Sequence, residues 1–184
     1  TGSIYSFKAA DSTGVMKDLI VEGSGPSGSF YRAQLDNDKG SSLNSIIGRW
    51  KNVGNMTVDS CTIDTSNAKA ATIAVEGTYA SANNLKMYVN YTIYGNGQIQ
   101  VDTRIVPNYT NSYTYIPVAG MQMTVPGEYE NLEFFGKGPD ENYIDRQAGY
   151  HVGRYATTVT DNFFAYLEPS ETGNRTGVRW TTLT

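Results

Sequence analysis

The chain is poor in the residues that carry soft-metal and thiol chemistry: in 184 residues there is one cysteine, Cys61, and one histidine, His151. A lone cysteine cannot close an internal disulfide, and one Cys with one His is too few donors for a zinc site. Within the alternating run Val58–Asp64, Cys61 is expected as a packed core residue rather than a reactive thiol. There is no cluster or stripe of Lys and Arg, and the net charge is −4, from 14 basic and 18 acidic residues. Nothing here attracts a phosphate backbone, so nucleic acid is not an expected partner. No run of 18 apolar residues occurs, so no membrane helix is expected. Also missing are a GxSxG elbow, a phosphate loop, a dinucleotide fingerprint and any repeat of 20–50 residues. A Ser/His/Asp arrangement would have only His151 as its base. No leader pattern opens at Thr1, and both polar ends read as cuts, so missing targeting signals carry little information.

What is present is aromatic and turn-rich. The chain has 14 Tyr, 6 Phe, 2 Trp and 19 Gly, with 39% hydrophobic residues. That is enough apolar surface for one folded domain, and the profile is one of short strands joined by tight turns. Residues 4–8 and 15–21 read as a hairpin around a turn at 9–14, and 23–29 as a Gly/Pro loop. Residues 43–53 suit a short helix, since Leu43, Ile46, Ile47 and Trp50 share a face that Gly48 weakens. Four strands are expected in series, at 56–64, 69–80, 84–94 and 98–106. Met87, Val89, Tyr91 and Ile93 point one way, as do Ile99, Val101, Thr103 and Ile105. Gly95-Asn96-Gly97 accepts the positive φ that a tight hairpin needs. Further strands are expected at 120–125, 130–138, 163–169 and 178–183, while 138–155 shows little alternation.

Sugar hydrolysis needs two carboxylates across the scissile bond. The candidate pairs are Asp36/Asp38, Asp140/Glu141 and Glu168/Glu171, and sequence spacing leaves all three as ordinary surface acids. Asp36-Asn37-Asp38-Lys39-Gly40 fails the calcium-loop pattern: Gly falls at position five, and position twelve is Ile47. It reads instead as an Asx-rich turn. Residues 136–149, which gather Asp140, Glu141, Asn142, Asp145 and Arg146 around Tyr143, read in two ways. One is a loop held by its own ion pairs; the other is a wall that contacts a partner domain or a sugar. Four Asn-x-Thr sequons, at Asn55, Asn90, Asn108 and Asn174, carry little weight in an Asn/Thr-rich chain.

Three segments resemble family 2 β-galactosidases. FYRAQLDNDKG (30–40) resembles F-W-R-A-P-T-D-N-D-x-G, GKGPDENYIDRQAG (136–149) resembles G-x-G-P-x-E-N-Y-x-D-R, and YLEPSETGNRTGVRW (166–180) resembles Y-x-x-P-x-E-N-G-N-R-x-x-V-R-W. They stand in the family's order and span nearly the whole chain. The resemblance implies the small-chain, C-terminal domain: an all-β, galactose-mutarotase-like supersandwich of large antiparallel sheets, truncated at its C-terminus, with 1–184 as one incomplete domain. It implies a glycoside hydrolase acting on terminal β-D-galactosides, with the catalytic glutamates on a TIM barrel absent here and no catalytic residue in this chain. Magnesium, with sodium as a second candidate, is implied on that barrel, and no metal or other cofactor on this segment. The expected partner is the barrel domain or large subunit of an oligomeric bacterial parent, cytoplasmic or secreted to the cell surface, with galactoside met indirectly.

By the same resemblance Asp36, Asn37, Asp38, Gly40 and Ser41 belong to a substrate-binding or mobile loop at the active-site mouth, running on into Ser42 and Leu43. Arg32, Glu141, Asn142, Tyr143, Asp145, Arg146, Asn174 and Arg175 are motif or interface residues. Gly40 stands out because a glycine absorbs the backbone rotation of a hinge. Departures are Tyr31 for Trp, Gln34-Leu35 for Pro-Thr, and Thr172-Gly173 for Asn-Gly. The family domain also runs on past Trp180, where some members supply an aromatic residue under the sugar. The rival expectations are a stand-alone carbohydrate-binding module, a purely structural interaction domain and, more weakly, a mutarotase.

Overall fold

The structure is a computed structural model, and it describes residues 2–40, 44–109, 115–168 and 170–184. They form four antiparallel sheets, none closed into a barrel. This is the all-β, antiparallel fold expected from the resemblance. The chain divides into two compact units: Thr1–Arg32 with Asp38–Thr124, and Ala33–Asn37 with Val125–Thr184. No helix among the described residues is long and apolar enough to cross a membrane.

The first unit is built on one meander. Strands β4 (Thr57–Asp64), β5 (Ala70–Tyr79), β6 (Leu85–Tyr94) and β7 (Ile99–Val106) pair in chain order. The register puts Val75 opposite Val89, Gly77 opposite Met87 and Tyr79 opposite Leu85. These residues share one face because side chains alternate along a strand. Leu85, Met87, Val89 and Tyr91 are at most 3% exposed and form the core with Phe30, Trp50, Met56, Val75, Tyr79 and Ala82. Burying each large apolar side chain stabilises by about 1.5–3 kcal/mol. Gly77 sits where a Cβ would lie 2.5 Å from Met56 Cγ, so the close approach of β4 and β5 depends on it. Between β6 and β7, Gly97 has φ +86°, and Tyr94 N–H donates to Gln98 O, closing the expected tight turn. Between β5 and β6, a 3-10 turn at Ala80–Ala82 ends in Asn83 and Asn84, both left-handed, a conformation Asn tolerates better than most residues.

The other elements of this unit cover the meander. Strands β1 (Lys8–Ala10) and β2 (Met16–Asp18) make the expected hairpin, shorter than the sequence suggests. Asp11 closes its turn by accepting from the backbone N–H groups of Thr13 and Val15. The Gly/Pro stretch expected as loop contributes β3 (Ser27–Ser29), which pairs with β8 (Gly120–Gln122). That strand is made by its distant partner and not by its own residues. Helix α2 (Asn44–Trp50) buries Ile47 and Trp50, and Trp50 Nε1 donates to Tyr115 O at 2.8 Å.

Two further expectations fail. Cys61 is exposed and is no core residue. It lies opposite buried Val75, but β4 is an edge strand with all eight residues exposed, and the cover over the sheet ends before it. The Asx-rich turn is instead a single helical turn, α1 (Asp36–Lys39).

The second unit has β9 (Asn131–Gly138) at its centre, with β10 (His151–Thr158) on one edge and β11 (Trp180–Leu183) on the other. Phe134 of β9 is 2% exposed and packs on Tyr155 at 5.6 Å, while Phe135 stacks on Trp180 at 6.2 Å. β10 is not legible in the sequence because its exposed and half-buried residues do not alternate sharply. The strand expected at 163–169 is absent among the described residues of that segment. Phe163, Phe164 and Leu167 are exposed there, with no strand beside them.

Candidate functional site

The second unit holds residues 33–37 of the first motif segment together with the second and third segments. β9 ends at Gly138 and β10 starts at His151, so residues 139–150 form a long loop at one end of the central strand. Residues 170–179 of the third segment run beside it toward β11. Asn142, 0% exposed, ties the two together. Its Nδ2 donates to Lys137 O at 2.9 Å and Asp140 O at 3.1 Å. Its Oδ1 accepts from Thr176 N at 2.9 Å and Thr176 Oγ1 at 2.5 Å. Its backbone N–H donates to Asn174 O, and its carbonyl accepts from Asn174 Nδ2. All the polar groups of a buried amide are thereby satisfied, as burial requires.

Glu141 is the second tie, 9% exposed. One carboxylate oxygen accepts from Arg146 Nη2 at 2.7 Å and from Tyr166 OH; the other accepts from Gly173 N at 2.7 Å and Thr172 Oγ1 at 3.2 Å. Arg146 in turn lies 4.5 Å from the Tyr143 ring and donates to Tyr166 OH at 2.8 Å. Burial, then the nearby Glu141 and Glu171 charges, push the Tyr143 phenol above its ordinary range. Glu171 accepts from Ala33 N at 3.1 Å, which brings the first motif's backbone to the third.

Around this frame a cleft of about 290 Å³ is lined by Leu35, Asp36, Asn37, Asp145, Arg146, Tyr166, Ser170 and Glu171. All three resembling segments contribute to it. A larger concavity, about 540 Å³, lies elsewhere, on the polar face of the β4–β7 sheet, and no motif residue lines it. Parts of all three resembling segments thus meet within the second unit.

A family model, the β-galactosidase small chain, matches residues 1–184. The chain belongs to this family. Among curated relatives, β-galactosidase of Priestia megaterium is 33% identical over 91% of this chain and 16% of its own length. β-Galactosidase of Lactobacillus delbrueckii subsp. bulgaricus is 33% identical over 84% of the chain and 15% of its own. β-Galactosidase BgaC of Bifidobacterium adolescentis is 33% identical over 86% and 15%. The small-chain segment thus spans about a sixth of the length of the relatives it matches.

The structure separates the expected site residues of this small-chain segment. Asp36, Asn37, Asp145 and Arg146 line the cleft; Glu141, Asn142, Tyr143 and Asn174 build the frame behind it. Arg175 is held over the Phe134 ring, away from that cleft. Asp38 and Arg32 belong to neither: they form a bidentate pair at 2.5 and 3.2 Å within the first unit, with Asp38 6% exposed. Gly40 is an exposed turn residue directly after α1. Ser41, with Ser42 and Leu43, lies outside the described residues. Sequence reasoning gives no role to Tyr166, Thr172, Gln147 or Thr176, although Tyr166 opens the third motif. Their part depends on contacts 25–34 positions away in sequence.

Among the described residues no three of His, Cys, Asp and Glu gather in one place.

Proposed function

We propose that this chain is the non-catalytic accessory part of a family 2 β-galactosidase. It packs on a catalytic barrel carried elsewhere in the parent and shapes the mouth of that active site. The observation that carries the reading is the convergence of Asp36, Asn37, Arg146, Tyr166 and Glu171 on one cleft, with Glu141 in the frame behind it already engaged. Glu141 is engaged by four donors, two of them charged or phenolic, so neither of its oxygens is free to reach a reacting bond. The rim can still order a sugar or a neighbouring loop: exposed Asp and Asn accept and donate to hydroxyls, and Arg146 is fixed for bidentate contact. Gly40, just beyond α1, is the hinge of the adjoining loop in this reading. Mg and Na, with the catalytic glutamates, belong to the barrel, and the parent is an oligomer cleaving terminal β-D-galactosides.

The test is hydrolysis of a chromogenic β-galactoside. The 184-residue chain alone is expected to give no turnover. The full-length parent carrying Gly40→Pro is expected to keep its fold and lose activity through a loop that no longer swings. Turnover by the chain alone, abolished by Glu141→Gln or Glu168→Gln, overturns the proposal.

A further inference from the structure

Asn96 is the only asparagine of the chain that is followed by glycine, and the pair sits at the tip of the β6–β7 hairpin. An asparagine side chain is an electrophile beside the backbone nitrogen of the next residue. When Gly97 N loses its proton it can attack Asn96 Cγ. The N–Cγ bond forms, the Cγ–Nδ2 bond breaks, and Nδ2 leaves as ammonia. Water then opens the cyclic imide at either of its carbonyls, giving aspartate or isoaspartate. The sum is amide plus water to carboxylate plus ammonium, with no oxidant or cofactor. A side chain on the following residue would shield the nitrogen, and glycine has none. Beyond its chain neighbours, no described group lies within 4 Å of where a Cβ at Gly97 would stand. Residues 95–98 are all exposed, so water and hydroxide reach the turn.

The fold holds each reacting group. Gly97 N–H donates to Tyr94 O at 3.0 Å, so the nucleophile keeps its proton. Asn96 Oδ1 accepts from Gln98 N at 3.0 Å, and Asn96 Nδ2 donates to Gln98 Oε1 at 3.0 Å, so the side chain is fixed onto Gln98. Tyr94 N–H donates to Gln98 O at 2.9 Å and closes the loop, with Gly97 at φ +86°.

Two effects oppose each other here. Gln98 N–H polarises the Cγ carbonyl, as an oxyanion donor would. An amide nitrogen that keeps its proton is nevertheless no nucleophile. The hold on Gly97 N therefore decides, and the reaction waits for the turn to open. The bonds that close the turn are exposed, and each contributes little, so opening is local and leaves the sheet intact.

We infer that Asn96 is a site of spontaneous deamidation, gated by local opening of the β6–β7 turn. Conversion adds one negative charge to a chain whose net charge is −4. The isoaspartate form also lengthens the turn backbone by one methylene, which spoils the fit of the two backbone bonds that close it. The next rung, Ile93 opposite Ile99, then becomes the end of the hairpin. This modification does not depend on the functional reading above, since it needs only the hairpin.

The experiment is incubation of the whole chain in mildly alkaline buffer, both folded and in urea. Products are mapped by peptide mass spectrometry, and isoaspartate is labelled with an isoaspartyl methyltransferase. Asn96 is expected to lead in both states. It is expected to convert at least about tenfold more slowly in the folded chain, because its rate is scaled by the fraction of time the turn is open. Gln98→Ala removes the side-chain acceptor and keeps the backbone N–H. It should raise the folded rate about two- to tenfold, the worth of one hydrogen bond, and leave the rate in urea unchanged. Three results overturn the inference: another asparagine converting ahead of Asn96 in either state; equal rates for Asn96 folded and in urea; or an unchanged folded rate in Gln98→Ala.

Discussion

Replacing Asn142 by Ala tests whether this side chain ties the second and third motif segments together. The substitution strips partners from Lys137 O, Asp140 O and Thr176 N, all in a region where Asn142 is fully buried. Each orphaned group costs about 1–3 kcal/mol, and water entering the vacated space recovers part of that. A net loss of about 3–5 kcal/mol follows, against a whole-domain stability of about 5–15 kcal/mol. In urea this is a midpoint lower by about 1–5 M at the usual slopes of small proteins. The unfolding is followed by near-UV circular dichroism and by fluorescence of Trp180, which belongs to the same unit. Asn142→Asp sharpens the test through pH. A carboxylate there faces two carbonyl oxygens, so its pKa is raised in the fold above the unfolded value of about 3.9. The unfolded chain then ionises first, and stability falls as pH rises above about 4. Asn142→Asp should therefore be milder at pH 3.5 than at pH 7, whereas Asn142→Ala should show no such change of penalty. An alanine variant whose midpoint lies within about 0.3 M of the parent, at an unchanged slope, refutes the reasoning.

Other outcomes are as definite. Gly77→Ala forces a Cβ to within 2.5–2.7 Å of Met56 and the Thr57 carbonyl and should cost about 1–3 kcal/mol in urea titration. Leu85→Ala, at 0% exposure in the core, should cost about 2–5 kcal/mol by the same measurement. Tyr91 donates to the Gly2 or Pro26 carbonyl, and burial pushes its pKa up to about 12. Its phenol thus contributes stability that is whole below the unfolded pKa of about 10 and lost as pH rises toward 12. Tyr91→Phe should cost about 1 kcal/mol at pH 7 and flatten the stability–pH curve between pH 10 and 12, as read by thermal melts.

Much of the first unit can be read directly from its residues. The alternation of Met87, Val89 and Tyr91, the glycines at 95 and 97, and the asparagine before Gly97 specify strands and turn locally. Each of those choices is decided by neighbours within a few positions, so pattern suffices. β3 and β10 are not legible in the same way. Ser27-Gly28-Ser29 becomes a strand only because Gly120–Gln122 lies beside it, and β10 alternates weakly because its two faces are both partly exposed. Cys61 escapes its expected burial for a related reason: its side is apolar by register, yet burial also depends on what lies over an edge strand.

Local preference and identities along the chain are enough to specify the all-β class, the order of the main strands, and the three motifs that place the chain among the β-galactosidase small chains. The division of labour among the motif residues arises only in the folded molecule. Asp38 turns to Arg32 while Asp36 and Asn37 face the cleft; Glu141 is spent on four donors; Asn142 holds Thr176 from 34 positions away. Hydrogen bonds and burial are pairwise relations across the fold, and spacing along one chain does not encode which pairs will form.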